Sequence, residues 1–138
     1  MKFLKLAAIS GAKAVVLGAF GAHLLTQYLT EKQLASWNTA VSYQFYHTLA
    51  LALVGVLLLQ PIFAQNKHLQ RSGWAFLVGM MLFSGSIYLL ALRDVLGIGA
   101  MSAVLGPLTP IGGVFFIIGW LLLWFGLVQN EKNTDNKA

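Results

Sequence analysis

The chain has no cysteine, which excludes disulfides, iron–sulfur clusters and thiolate zinc sites. It has little charge: 9% of its 138 residues are Asp, Glu, Lys or Arg, against about a quarter in soluble domains. So thin a charged surface excludes a water-soluble globule. Only 4 residues are acidic, and no two of them pair within an apolar run, so the carboxylate pairs of acid–base catalysis are missing. No nucleophile elbow or P-loop occurs. The 9 basic residues give a net charge of +5, but they are scattered and build no basic face, so nucleic acid is not an expected partner.

What remains is an apolar chain: 58% hydrophobic, mean hydropathy +0.75, with 14 glycines. Glycine is commoner in membrane helices than in soluble ones. A hydrocarbon core of about 30 Å needs about 20 helical residues to cross, and four stretches reach that length. They run from Phe3 to Leu25, Thr39 to Gln60, Gly73 to Leu92 and Pro110 to Val128. The expected fold is an all-α integral membrane four-helix bundle, a single domain over residues 1–128 followed by a polar, disordered tail over 129–138.

The N-terminus has a basic start, Met1 to Lys5, and small residues from Gly18 to Ala22, as a cleaved signal peptide would. Lys13 interrupts the apolar run that a signal requires, so a retained first span is preferred. Ala14, Gly18 and Ala22 recur every four residues and would let a helix of the same chain, or of a second copy, approach closely. Thr30 and Gln33 fit a capping box, and Trp37 suits headgroup depth. Together they predict a short interfacial helix between the first two spans. Val95 to Gly106 is glycine-rich and reads as a loop or re-entrant turn, with Pro107 and Pro110 at the start of the fourth span.

With both ends on one side, that side holds six basic residues (Lys2, Lys5, Lys67, Arg71, Lys132 and Lys137) against Lys32 and Arg93 on the other. The positive-inside rule then puts both termini in the cytoplasm of a bacterial inner membrane. In that orientation His23, Tyr43, Gln44, His47, Ser84, Tyr88 and Asp94 all fall in or above the outer half. Tyr43, Gln44 and His47 form a polar stripe at helical spacing, and Ser84 and Tyr88 a second one. Polar groups in hydrocarbon need partners, since an unsatisfied one costs several kcal/mol, roughly.

Three readings of this cluster compete, one being a pocket for a small polar ligand lined by Tyr43, Gln44, Ser84, Ser86 and Tyr88. His23 and His47, with Asp94, suggest a proton-coupled carrier or a metal site. A metal usually takes three or four ligands, and neither HxxxH nor HExxH spacing occurs. The third reading is interhelical hydrogen-bonding that fixes helix register. It is preferred over a relay or a metal site and stands level with the pocket, and no metal or other cofactor is expected. Lys13 has no counterpart charge nearby in sequence and is taken to snorkel toward the inner surface.

Four ordered motifs resemble one family. Gly18-Ala-Phe-Gly-Ala-His23, Thr39-Ala-Val with Tyr43-Gln44 and His47, Leu82-Phe-Ser-Gly-Ser-Ile-Tyr88, and Thr109-Pro-Ile-Gly-Gly113 with Gly119-Trp120 are similar to the YgdD-like membrane proteins, which have animal relatives. The resemblance implies four spans in a bacterial inner membrane and brings no activity or cofactor; Lys13 departs from the pattern. Small residues at Gly112 and Gly113 are expected to pack helices. The function implied is non-enzymatic, acting through the lipid bilayer and other membrane proteins or a second copy. A cysteine-labelling map is expected to place His47 in the outer half; labelling from the inner half would overturn this topology.

Overall fold

The computed structural model describes the backbone of residues 1–135 and the side chains of residues 1–129. Four helices dominate it: α1 (Lys2–Ala19), α2 (Glu31–Leu57), α3 (Lys67–Leu92) and α4 (Ser102–Asp135). Each belongs to a stretch long and apolar enough to cross a membrane, and no strand occurs among the described residues. The four-span, all-helical expectation is met. Packing runs chiefly along the pairs α1–α2, α2–α3 and α3–α4, so α2 and α3 form a central pair flanked by the other two.

In hydrocarbon, helices associate by close van der Waals contact and hydrogen bonds, because lipid tails are as apolar as leucine. The chain supplies the close contact with glycine. On α4, Gly112, Gly119 and Gly126 recur every seven residues. A Cβ at Gly112 would collide with the Phe83 backbone. One at Gly119 would sit 2.6 Å from the Phe76 ring, and one at Gly126 2.9 Å from Leu69. Phe83, Phe76 and Leu69 are themselves seven apart, so this is an antiparallel seam of large knobs in glycine holes. Asn66 and Ser72 lock it: Asn66 Nδ2 donates to the Gly126 carbonyl (2.8 Å) and Ser72 Oγ to that of Gly119 (2.7 Å). Asn66 also caps α3, its Oδ1 accepting from Leu69 N–H at 3.1 Å.

The α1–α2 pair follows the same logic. Gly55 faces Leu4, Gly11 faces Thr48 and Gly18 faces Val41. Below Gly21 lies the Trp37 ring, 2.6 Å from where a Cβ would stand. The packing side of α1 therefore follows a three–four alternation through Ala7, Gly11, Ala14, Gly18 and Gly21. Ala22, expected on that side from its four-residue spacing, is exposed instead. Gly113 likewise leaves room, its Cβ position lying 3.8 Å from Phe83. Phe3, Leu51, Val54, Leu69, Phe76 and Phe116 fill the main core.

Four expectations are corrected. The Thr30–Gln33 capping box is present, but it opens α2 itself, and no separate interfacial helix forms. Trp37 is buried rather than at a surface, because α1 offers it the Gly21 notch. The fourth helix begins at Ser102, not Pro110, and carries Pro107 and Pro110 inside it. Each proline removes one bond, to the carbonyl four residues back, and both lie in the helix's first turns at the end of the bundle. The backbone of α4 also continues to Asp135, into the stretch expected to be disordered; residues 136–138 lie outside the described residues.

Neighbouring glycines make a paired test of the seam. Gly112→Ala is expected to cost about 1–3 kcal/mol through overpacking against the Phe83 backbone, while Gly113→Ala stays within about 0.5 kcal/mol of wild type. Denaturant unfolding in mixed micelles would measure both.

Candidate functional site

The polar stripe of α2 does not act as one surface. Successive helical residues point 100° apart, and the packing divides them. Gln44 turns toward α1 and α3. Its Nε2 donates to the Ser10 carbonyl (3.0 Å), and its Oε1 accepts from the Tyr88 hydroxyl (2.9 Å). Ser10 Oγ in turn meets Thr48 Oγ1 at 2.7 Å, and both hydroxyls lie near Met80 Sδ. This network joins α1, α2 and α3 at mid-bundle.

His47 turns the other way, toward α4. Its Nδ1 lies 2.8 Å from the Tyr43 carbonyl one turn back, and its ring stacks on Phe116 with centroids 3.4 Å apart. Trp120 Nε1–H points at His47 Nε2 from 3.4 Å. Because indole can only donate, Nε2 is the acceptor and Nδ1 carries the proton, an assignment made from partners rather than seen directly. Both ring nitrogens are thereby engaged. Tyr43 is exposed, its ring against Phe83 at 4.6 Å.

The remaining candidates scatter. His23 is exposed, in a π-helical turn (Phe20–Leu24) that follows α1, and only its carbonyl is used, by Thr26 Oγ1 at 2.7 Å. Beside that turn, Trp37 Nε1 donates to the Leu17 carbonyl at 2.8 Å; such a side chain inserting near the ladder is a known cause of helix distortion. Asp94 sits past the end of α3, accepting from Gln33 Nε2 at 2.6 Å and lying 3.6 Å from Arg93. No hydrogen bond or ring contact links His23, His47 and Asp94 to one another. Among the described residues no three His, Cys, Asp or Glu side chains gather as a metal site would require. Ser84 is buried with its hydroxyl unpartnered, while Ser86 on α3 meets the Thr109 hydroxyl on α4 at 2.7 Å.

Asp94 does line a polar cleft of about 570 Å³ at the end of the bundle, with Thr30, Lys32, Gln33, Ser36, Arg93 and Thr109. Moving inward by helical turns, α3 presents Asp94, Ala91 and Tyr88, and α2 presents Gln33, Trp37 and Gln44. The middle layer is apolar: Trp37 and Ala91 are buried with Leu25 and Leu29, and Trp37 packs on Tyr88 at 4.6 Å. The cleft is therefore closed off from the Gln44 network. Ser10, Thr48, Asn66 and Ser72 were not singled out by sequence reasoning, and Thr109 and Trp120 entered it only as part of a family motif. Their common signal is a polar or indole group inside an apolar run, and the seven-residue recurrence of Gly112, Gly119 and Gly126 marks the carbonyls that Asn66 and Ser72 reach.

Residues 17–113 match a family described as "Protein of unknown function (DUF423)". The chain belongs to this family. It is 41% identical over 131 residues to a UPF0382 membrane protein of Haemophilus influenzae, covering 95% of this chain and 97% of that one. It is 39% identical over 127 residues to the UPF0382 membrane protein YwdK of Bacillus subtilis, covering 92% and 96%. A UPF0382 membrane protein of Staphylococcus epidermidis is 41% identical over 121 residues, covering 88% and 90%. No solved structure matches. The chain is thus a multi-pass membrane protein of a family whose function is unassigned.

The network makes a thermodynamic prediction. Tyr88→Phe and Gln44→Leu are each expected to destabilise the protein, and the double variant less than their sum. The coupling should be about 0.6–1.7 kcal/mol, as for interhelical hydrogen bonds in membranes. A double-mutant cycle in micelle unfolding measures it.

Proposed function

We propose that the protein is a non-enzymatic interaction protein of the bacterial inner membrane, with both termini cytoplasmic. We also propose that its family is the YgdD-like one, with animal relatives, that the four motifs resemble. One observation carries the functional reading: apart from the Ser84 hydroxyl, the buried polar side chains at depth are spent within the bundle. Gln44, Tyr88 and Ser10 close on themselves, His47 uses both nitrogens, and a layer around Trp37 separates them from the end cleft. Polar residues that serve a transport path usually line a hydrated cavity or a relay. Here the arrangement fits a framework that holds four helices in register, and its outward faces are what other membrane components meet. The carrier reading needs His23, His47 and Asp94 to cooperate, and they stand on separate surfaces. Both basic-residue asymmetry and the Lys2 ammonium over the Trp74 ring, 5.1 Å from its centroid, favour anchoring of the N-terminal end at an inner interface.

Proteoliposomes loaded with a pH-sensitive dye test the reading. An imposed pH gradient is expected to decay at the same rate with the protein as in empty vesicles. Faster decay that His47→Gln abolishes would overturn it in favour of a proton-coupled carrier.

A further inference from the structure

Lys13 is the one charged residue well inside a span. It lies eleven residues beyond Lys2, about 16 Å along the helix, near the middle of a hydrocarbon core of about 30 Å. Such a charge costs roughly 3 kcal/mol to insert unless it finds a partner. Its side chain is exposed, at the edge of a groove of about 350 Å³ between α1 and α3. Ile9, Leu17, Leu77 and Met81 give this groove apolar walls, and Ser10, Gln44 and Tyr88 of the hydrogen-bonded network form its polar floor. Gly85 also lines it, and a Cβ there would meet nothing within 4 Å, so an incoming backbone has room. The groove belongs to the helix least covered by the rest of the chain. Only 17% of the first span is buried within the bundle, against 44% for each central span.

Among the described side chains, no carboxylate reaches that depth. Glu31 opens α2, Asp94 follows α3, and Glu131 and Asp135 lie at the far end of α4. A second copy in the same membrane carries its acids at the same ends, so self-association does not answer the charge either. A phospholipid phosphate stays at the bilayer surface, about 15 Å from the midplane. A carboxylate fixed on another protein's membrane helix is held at the right depth by its own chain. We propose that Lys13 and the α1–α3 groove dock a transmembrane helix of another protein that bears one Asp or Glu at mid-span. The ion pair offsets the insertion cost of both charges, and the groove supplies shape. This inference rests on the interaction-protein reading and names the kind of partner.

The test uses full-length protein in nanodiscs, donor-labelled, with acceptor-labelled leucine-rich membrane peptides. One peptide carries a single central Asp, one carries Asp two turns off centre, and one carries none. The central-Asp peptide is expected to associate at least tenfold more tightly than the other two, with the advantage lost in Lys13→Leu and kept in Lys13→Arg. An unchanged unfolding midpoint for Lys13→Leu confirms the fold, since Lys13 takes part in none of the framework's hydrogen bonds. Equal binding of the three peptides, or an advantage that survives Lys13→Leu, would sink the docking proposal. If the vesicles meanwhile remain proton-tight, the interaction-protein reading survives without it; a His47-dependent leak would remove that reading instead.

Discussion

A helix gains little by leaving lipid for another helix, since both surroundings are apolar; what holds this bundle together is how closely backbones approach. The seam between α3 and α4 sets that distance. Phe83, Phe76 and Leu69 descend α3 at the same interval as Gly112, Gly119 and Gly126 ascend α4. Each large side chain fills a notch that no other residue type leaves open. Because the glycines have no side chains to cover their carbonyls, Ser72 and Asn66 can reach two of them. Shape and hydrogen bonding thus arise from the same three positions.

The α1–α2 pair repeats the device with smaller knobs, and it ends on Trp37 over Gly21. That ring does three things at once. It fills the notch, it ties α1 to α2 through the Leu17 carbonyl, and it forms with Tyr88 and Ala91 the layer that parts the open end from the buried network. Below the layer, α2 distributes its polar groups to both sides: Gln44 to α1 and α3, His47 to α4. α2 therefore touches every other helix, as α3 does, and its polar residues act as fasteners to each neighbour in turn. Above the layer, the charged groups Lys32, Arg93 and Asp94 gather at one rim, where water can reach them.

The outer surfaces differ in character. Packing covers more of α2 and α3 than of the other two, while α1 keeps an apolar face such as Val15 and Val16 beside a lone ammonium and α4 keeps one with Ile117 and Leu121. Under the proposed interaction role, such a face is where another membrane component would dock.

Sequence alone determined the four spans, since about 20 apolar residues can satisfy their backbone in lipid only as a helix. It also determined the Thr30–Gln33 cap, a contact between residues three apart. It marked Gln44, His47, Ser84 and Tyr88 as polar groups at depth, but not their partners. Only the tertiary structure decided that Gln44 and His47 part company, that His23 and Asp94 stand away from both, and that Gly21 rather than Ala22 meets α2. Those outcomes depend on which face of one helix meets which face of another. Such pairing is set by knobs and notches many residues apart, and hydropathy, being nearly uniform around each of these helices, carries almost no record of it.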